Sequence, residues 1–264
     1  MSLRIIYGKA GTGKSEYCYK EIAQKIKGEN KILIITPEQF SFTAEKKLMD
    51  AIDTPSVLNA EVVTLSRMAY RVINEIGGAT QTNLSKCGKA MLIYSILSNN
   101  KKDLKFLGKT DENIDMLNTS ITEFKKHGIH VEQLKQEIDK QEDMYLKNKL
   151  KDICIIYENF EEQITGKYID ETDLLTILAE NIDKTNMFNN SIIYIDEFAG
   201  FTSQEYDIIK KLIQIAKQVT ITICTDELHE IKNPDTDIFY SNQNTVNRLL
   251  EVAKATETKV EEIK

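Results

Sequence analysis

The sequence predicts an α/β protein in which a parallel sheet flanked by helices is interrupted by an all-helical subdomain. Three observations carry that prediction. Apolar strand-like runs alternate with helix-like segments three times before residue 80, helical spacing alone runs from about Thr80 to Ile182, and two further buried-type strands follow at Ser191–Asp196 and Val219–Thr225. Strand and helix alternating along a chain is the pattern of a parallel sheet. The expected organisation is a discontinuous sheet domain over 1–79 and 183–264, with the helical subdomain over 80–182.

The first unit is the most specific. Arg4 to Ser15, RIIYGKAGTGKS, reads as a short strand running into a phosphate-binding loop of the pattern GxxxxGK[ST]. Gly8, Gly11 and Gly13 let backbone N–H groups turn inward around phosphate oxygens, with Lys9, Ala10 and Thr12 between them. The helix that follows, from Glu16 to Ile26, adds its positive N-terminal end. Lys14 is placed to reach the β- and γ-phosphates, and the Ser15 hydroxyl to ligate Mg²⁺. A glycine-rich turn that binds nothing is the plain alternative.

The remaining elements follow from local pattern. Gly28-Glu29-Asn30 stops the first helix, and Lys31–Thr36 (KILIIT) is a continuous apolar strand covered on both faces. Pro37 ends it, Glu38–Ala51 returns to helical spacing, and Thr54-Pro55 breaks that helix. Glu61–Leu65 is a third strand, and the helix through Met68, Val72 and Ile76 closes at Gly77-Gly78. The middle of the chain carries apolar residues at helical spacing over Met91–Leu97, Ile114–Phe124, Ile153–Phe160 and Leu174–Leu178, with no convincing strand. After the fourth strand, SIIYID, a helix over Ser203–Ala216 can be capped by Thr202 or Ser203, with Glu205 in its first turn. A fifth strand, VTITICT, precedes a polar stretch through Pro234 and a final helix over Thr245–Ala253.

Composition narrows the function classes. The 264 residues are 41% hydrophobic and 28% charged, as a folded domain requires. A net charge of −7 and a pI near 5.2 argue against a compact nucleic-acid module held by a broad basic face. Two small basic clusters, Lys101/Lys102/Lys105 and Lys125/Lys126/His127, are either solvated helix faces or local phosphate contacts. Cys18, Cys87, Cys154 and Cys224 lie far apart without CxxC spacing, so this chain by itself does not spell a zinc or iron–sulfur site. No apolar run approaches about eighteen residues and no signal peptide precedes the first strand, which points to the cytoplasm.

A phosphate loop needs an acid at the end of a neighbouring apolar strand to hold Mg²⁺. Asp196 fits that position, and Glu197 beside it can orient or deprotonate an attacking water. The same two acids can instead cap the next helix. Tyr7, Tyr17 and Tyr19 are candidates to stack on a base or to pack in the core. Arg67 and Arg71, at i and i+4, can sense phosphate, touch a nucleic-acid backbone or form surface salt bridges. A small-molecule kinase would need lid arginines after the acidic strand, where Arg248 stands alone.

The order of these segments resembles the first motor domain of UvrD-type DNA helicases, a RecA-like P-loop fold. GKAGTGKS, ILIITPEQFSFTAEKKL, VVTLSRMAYRVI and IIYIDEF correspond to successive helicase motifs. More closely, TPEQFSFTAEKKL, VVTLSRMAYRVINEIGG and IYIDEFAGFTSQEY are similar to the N-terminal region of the AddB (RexB) family, the B subunits of bacterial AddAB ATP-dependent helicase/deoxyribonucleases. The similarity runs from Arg4 to about Asp226.

That resemblance implies ATP and Mg²⁺ as ligands, DNA as the substrate of the full complex, and an AddA-type helicase/nuclease subunit as partner. It implies a role in processing double-strand ends for recombinational repair. The family's second motor-like domain, and its C-terminal nuclease domain with an iron–sulfur cluster, lie outside this chain. Departures from the helicase pattern imply weak turnover. Ala199 and Gly200 replace the polar pair of the acidic motif, and Thr225-Asp226-Glu227-Leu228-His229 lacks the glutamine that senses the γ-phosphate. A vestigial motor that serves as a scaffold for DNA and the A subunit is the alternative.

Overall fold

In the computed structural model, residues 2–52, 59–77, 81–107, 113–229 and 236–264 are described. The breaks expected at Thr54-Pro55, Gly78 and Pro234 lie outside them. The chain divides into two compact units, one of residues 1–76 with 177–264 and one of 77–176.

The first unit is built on a sheet of apolar strands. Strand β1 (Ser2–Gly8) leads through a loop to α1 (Lys14–Lys25), and β2 (Ile32–Ile35) leads through a single 3₁₀ turn to α2 (Ser41–Ala51). Strand β3 (Ala60–Val63) leads to α3 (Leu65–Glu75), where Met68, Ala69, Val72 and Ile73 form the buried stripe that helical periodicity dictates.

The second unit is helical. It contains the two-residue strand β4 (Thr82–Asn83), helices α4 (Lys86–Asn99), α5 (Ile114–Lys126), α6 (Val131–Lys140) and α7 (Met144–Ile164), and β5 (Tyr168–Ile169). Its core is a single cluster that includes Ile93, Leu97, Leu117, Ile121, Leu134, Ile156 and Phe160. The parallel β4–β5 bridge corrects the expectation of a stretch without strands. Two-residue strands carry too little periodicity to register in a sequence.

Helix α8 (Asp173–Asn181) follows, and the sheet resumes with β6 (Ile192–Ile195), α9 (Ser203–Ile215), β7 (Gln218–Cys224), α10 (Tyr240–Ala255) and β8 (Lys259–Ile263). The strand order is β3-β2-β6-β7-β1-β8, with every described pairing parallel. Strands β2 and β6 read ILII and IIYI and are buried along their whole length, as central parallel strands must be. Strand β8 was not anticipated: KVEEI carries charges that blunt an edge, and an edge strand lacks the apolar run that marks a central one. One sheet face, including Ile6, Ile34, Val62, Ile192 and Tyr194, packs with Cys18, Tyr19 and Ile22 of α1 and Leu48 of α2. No helix among the described residues is long and apolar enough to cross a membrane.

Candidate nucleotide site

The loop between β1 and α1 has the geometry its glycines dictate. A Cβ on Gly8 would stand 2.7 Å from Thr12 Oγ1, so only glycine lets the loop close on itself there. Gly13 is the N-cap of α1 in a left-handed conformation (φ 88°), which glycine adopts without strain. Thr12 Oγ1 donates to the Lys9 carbonyl at 2.9 Å. No side chain caps α1. The N–H groups of its first turn are thus left to water or to an anion.

Helix α9 is the contrast. Thr202 Oγ1 accepts from Glu205 N at 3.3 Å, and Thr202 N donates to Glu205 Oε2 at 2.7 Å, a capping box that closes its N-terminus. Thr202 performs the cap, so Asp196 and Glu197 are not needed for it.

Gly8, Lys9, Thr12, Gly13 and Lys14 line a cleft of about 500 Å³ with Tyr7, Tyr17 and Glu227. Ala10 and Gly11 are exposed in the same loop, and Ser15 is the second residue of α1. The Lys14 ammonium donates to the carbonyls of Gly8 (2.8 Å) and Lys9 (2.9 Å), which holds it at the loop. Tyr17 is exposed, whereas Tyr19 is buried in the core beneath α1, which removes Tyr19 from the stacking candidates.

Asp196 follows β6, one strand removed from β1 because β7 lies between them. It is 3% exposed. Its Oδ1 accepts from Thr222 Oγ1 on β7, while Oδ2 is buried without a hydrogen-bond partner. It faces α1: burial pushes the Cys18 thiol up to about 12, and the charges of Asp196 and then Glu21 push in the same direction. The Tyr19 phenol is raised by burial, then by Asp196 and Glu197.

Asp196 and Ser15 are not among the residues that line the cleft. A buried carboxylate oxygen left unpaired calls for an explanation, and a bound water or cation is one. No cluster of three or more His, Cys, Asp or Glu side chains able to hold a metal occurs among the described residues. A cation drawing on one hydroxyl, one carboxylate, water and phosphate is Mg²⁺ chemistry, and these residues fit it.

Glu197 has a left-handed backbone (φ 67°), uncommon for a residue with a side chain. Its Oε1 pairs with Lys47 Nζ of α2 at 3.0 Å, a partner that nothing local in the sequence signals. Thr222 was legible in principle, since VTITIC alternates polar and apolar residues on a buried strand.

Several other polar candidates form ion pairs, whereas Lys105 Nζ donates to Asn148 Oδ1 at 3.2 Å and Arg248 lies over the Tyr206 ring. Arg67 meets Glu45 at 3.6 Å and Arg71 meets Glu61 at 2.6 Å. Lys125 is no surface lysine: it is buried against Asp173 (2.6 Å) and Glu161 (2.9 Å). Lys126 and His127 both lie beside Glu123. Apolar neighbours at i−4 and i+4 could have flagged Lys125 as inward-facing.

The family profile described as "ADDB, N-terminal" matches residues 5–264. Proteins named as the B subunit of an ATP-dependent helicase/deoxyribonuclease are similar over nearly the whole chain. That of Clostridium tetani is 41% identical over 99% of this chain, that of Clostridium botulinum (strain Loch Maree) 39% over 99%, and that of Clostridium kluyveri 40% over 96%. These matches cover only 23–24% of the relatives' own lengths, so the chain spans about a quarter of the proteins it resembles. From loop to acidic strand to final strand, the chain belongs to the AddB N-terminal family.

Proposed function

We propose that this chain is the nucleotide-binding, motor-like region of the B subunit of an ATP-dependent helicase/deoxyribonuclease that processes DNA double-strand ends for recombinational repair in the cytoplasm. The observation that carries the reading is an uncapped loop-to-helix junction, Gly8–Ser15, on the same sheet as a buried, half-unpaired carboxylate, Asp196. The sheet draws its strands from chain on both sides of the helical segment. That supports a discontinuous RecA-like P-loop domain over 1–79 and 183–264, with an inserted helical subdomain over 80–182.

In this reading the loop amides and Lys14 bind the phosphates. Ser15 and Asp196 hold Mg²⁺, which supplies charge neutralisation at the β- and γ-phosphates. Glu197 orients the attacking water. DNA and an AddA-type subunit are the partners, and the nuclease residues and an iron–sulfur cluster belong to the remainder of the longer protein, outside this region.

A second reading has specific support. Glu197 is engaged by Lys47, and the segment after β7 offers no glutamine to sense a γ-phosphate. Both favour a vestigial motor that binds nucleotide and serves as scaffold for DNA and the A subunit with little turnover. Titration with a fluorescent ATP analogue and Mg²⁺ tests the shared claim. Binding weakened at least about tenfold by Lys14→Ala is expected, and unchanged affinity would remove the nucleotide reading. Steady-state ATP hydrolysis then separates the two versions.

A further inference from the structure

Four polar side chains stand in a row across adjacent strands, each one register step beyond the apolar row Ile221, Ile195, Ile35 and Val63. Ile195 pairs with both Ile221 and Ile35, and Ile35 pairs with Val63, so Thr222, Asp196, Thr36 and Thr64 are successive neighbours. Asp196 N donates to Ile35 O at 3.0 Å and Thr36 N to Val63 O at 3.2 Å, which carries the ladder one residue further. The two outer members are satisfied: Thr222 donates to Asp196 Oδ1, and Thr64 Oγ1 accepts from Arg67 N at 3.3 Å and donates to Glu38 Oε1 at 3.4 Å. The two inner members are not. Thr36 is 0% exposed and its Oγ1 has no hydrogen-bond partner, and neither has Asp196 Oδ2.

Two buried orphans at adjacent register positions are different from one. Neighbouring strands lie about 4.8 Å apart, so side chains on the same face of adjacent strands can share a single small polar ligand. A water needs polar partners of this kind to remain inside a protein, and a hydroxyl can donate to it while the carboxylate accepts from it.

We propose that Thr36 is a positioning residue for the nucleotide site: its hydroxyl and Asp196 Oδ2 hold one water molecule between them. With Thr222 on the other oxygen, the carboxylate is then fixed from both sides in the orientation it needs to serve Mg²⁺. The proposal rests on the reading of Asp196 as the cation-side acid. Groups that orient a metal's ligands are worth about 10- to 100-fold in metal affinity when removed.

The test compares the wild-type chain with Thr36→Val, Thr36→Ser and Lys14→Ala, measuring fluorescent ATP-analogue affinity with and without Mg²⁺ and the Tm of each ligand-free variant. Thr36→Val is expected to lose roughly tenfold of the Mg²⁺-dependent gain in affinity while its Mg²⁺-free affinity is unchanged. Its Tm is expected to fall only slightly, since the methyl fills the hydroxyl's volume while the buried water loses one of its partners. Thr36→Ser restores the Mg²⁺ gain. An unchanged Mg²⁺ gain in Thr36→Val overturns the proposal, and with a lowered Tm it makes the hydroxyl purely structural. Binding that responds to Lys14→Ala but not to Thr36→Val sinks this inference alone, whereas a wild-type chain that binds no nucleotide sinks the site with it. If Thr36→Val does not fold, Thr36→Ala carries the same comparison.

Discussion

The two units bury charge in opposite ways. In the helical unit each buried charged side chain among the described residues is matched. Lys89 donates to Asp170 Oδ2 at 2.7 Å and to Thr122 Oγ1 at 2.9 Å, and Thr172 donates to the same carboxylate oxygen. Lys125 sits between Asp173 and Glu161, which hold its ammonium protonated against the effect of burial. Both ammonium groups lie over the Phe160 ring, at 5.4 and 5.6 Å from its centroid. Asp152 accepts from three backbone N–H groups, those of Lys105, Phe106 and Leu107.

In the sheet unit, Arg4 donates two hydrogen bonds of 2.7 and 2.9 Å to Glu21 while its Nε has only an ion-pair contact with Glu261 at 3.4 Å, and Asp196 Oδ2 has no hydrogen-bond partner. A fully paired buried network rigidifies a core, whereas a partly paired one is costly and persists where something else completes it. Of the three buried carboxylates among the described residues, Asp152, Asp170 and Asp196, it is Asp196 that has a buried oxygen without a hydrogen-bond partner.

The largest effect is expected at Lys89. Lys89→Met leaves the buried Asp170 with Thr172 and the more distant Lys125 at 3.9 Å, and urea denaturation is expected to show a loss of about 3 kcal/mol, largely recovered in a Lys89→Met/Asp170→Leu double variant. Retained stability in the single variant would mean the cluster is wetter than its burial indicates.

The next largest effect is at Glu21. Burial works against its ionisation, but hydrogen bonds from Arg4, Lys25 and Tyr194 outweigh that and hold its carboxyl at about 2, against an ordinary value of 4.5. A depressed folded-state value stabilises fully above pH 4.5, and the contribution is lost as pH falls toward 2. Acid titration of stability should therefore show the wild type losing up to about 3 kcal/mol more than Glu21→Gln across that window.

The smallest stability change is expected at Asp196. Asp196→Asn retains an oxygen for Thr222, so its unfolding free energy should stay within about 1 kcal/mol of wild type. Its nucleotide affinity in Mg²⁺ should fall about tenfold or more. A large stability loss with intact binding would move Asp196 to the structural side of the comparison.

Much of the frame was written locally. Short continuous apolar runs rich in isoleucine and bounded by turn residues, such as KILIIT and SIIYID, read as central strands, and the glycine spacing of Gly8, Gly11 and Gly13 specifies a loop conformation over a handful of residues. Helices with clean periodicity, such as that through Met68 and Val72, were equally plain. Helix α6 was not singled out, and α10 begins at Tyr240, ahead of the expected start at Thr245, because its polar first turn lacks an apolar stripe.

Local residues thus specified the five apolar strands, the loop and the acidic position after the fourth strand, since each depends on residues a few positions apart. Only the tertiary structure decided that Thr36 stands beside Asp196, that Lys47 holds Glu197, that Lys125 is interior and that KVEEI closes the sheet edge. Those outcomes join residues far apart along the chain, through strand order and ladder register. Such pairings are selected by the burial of whole faces rather than by any local preference.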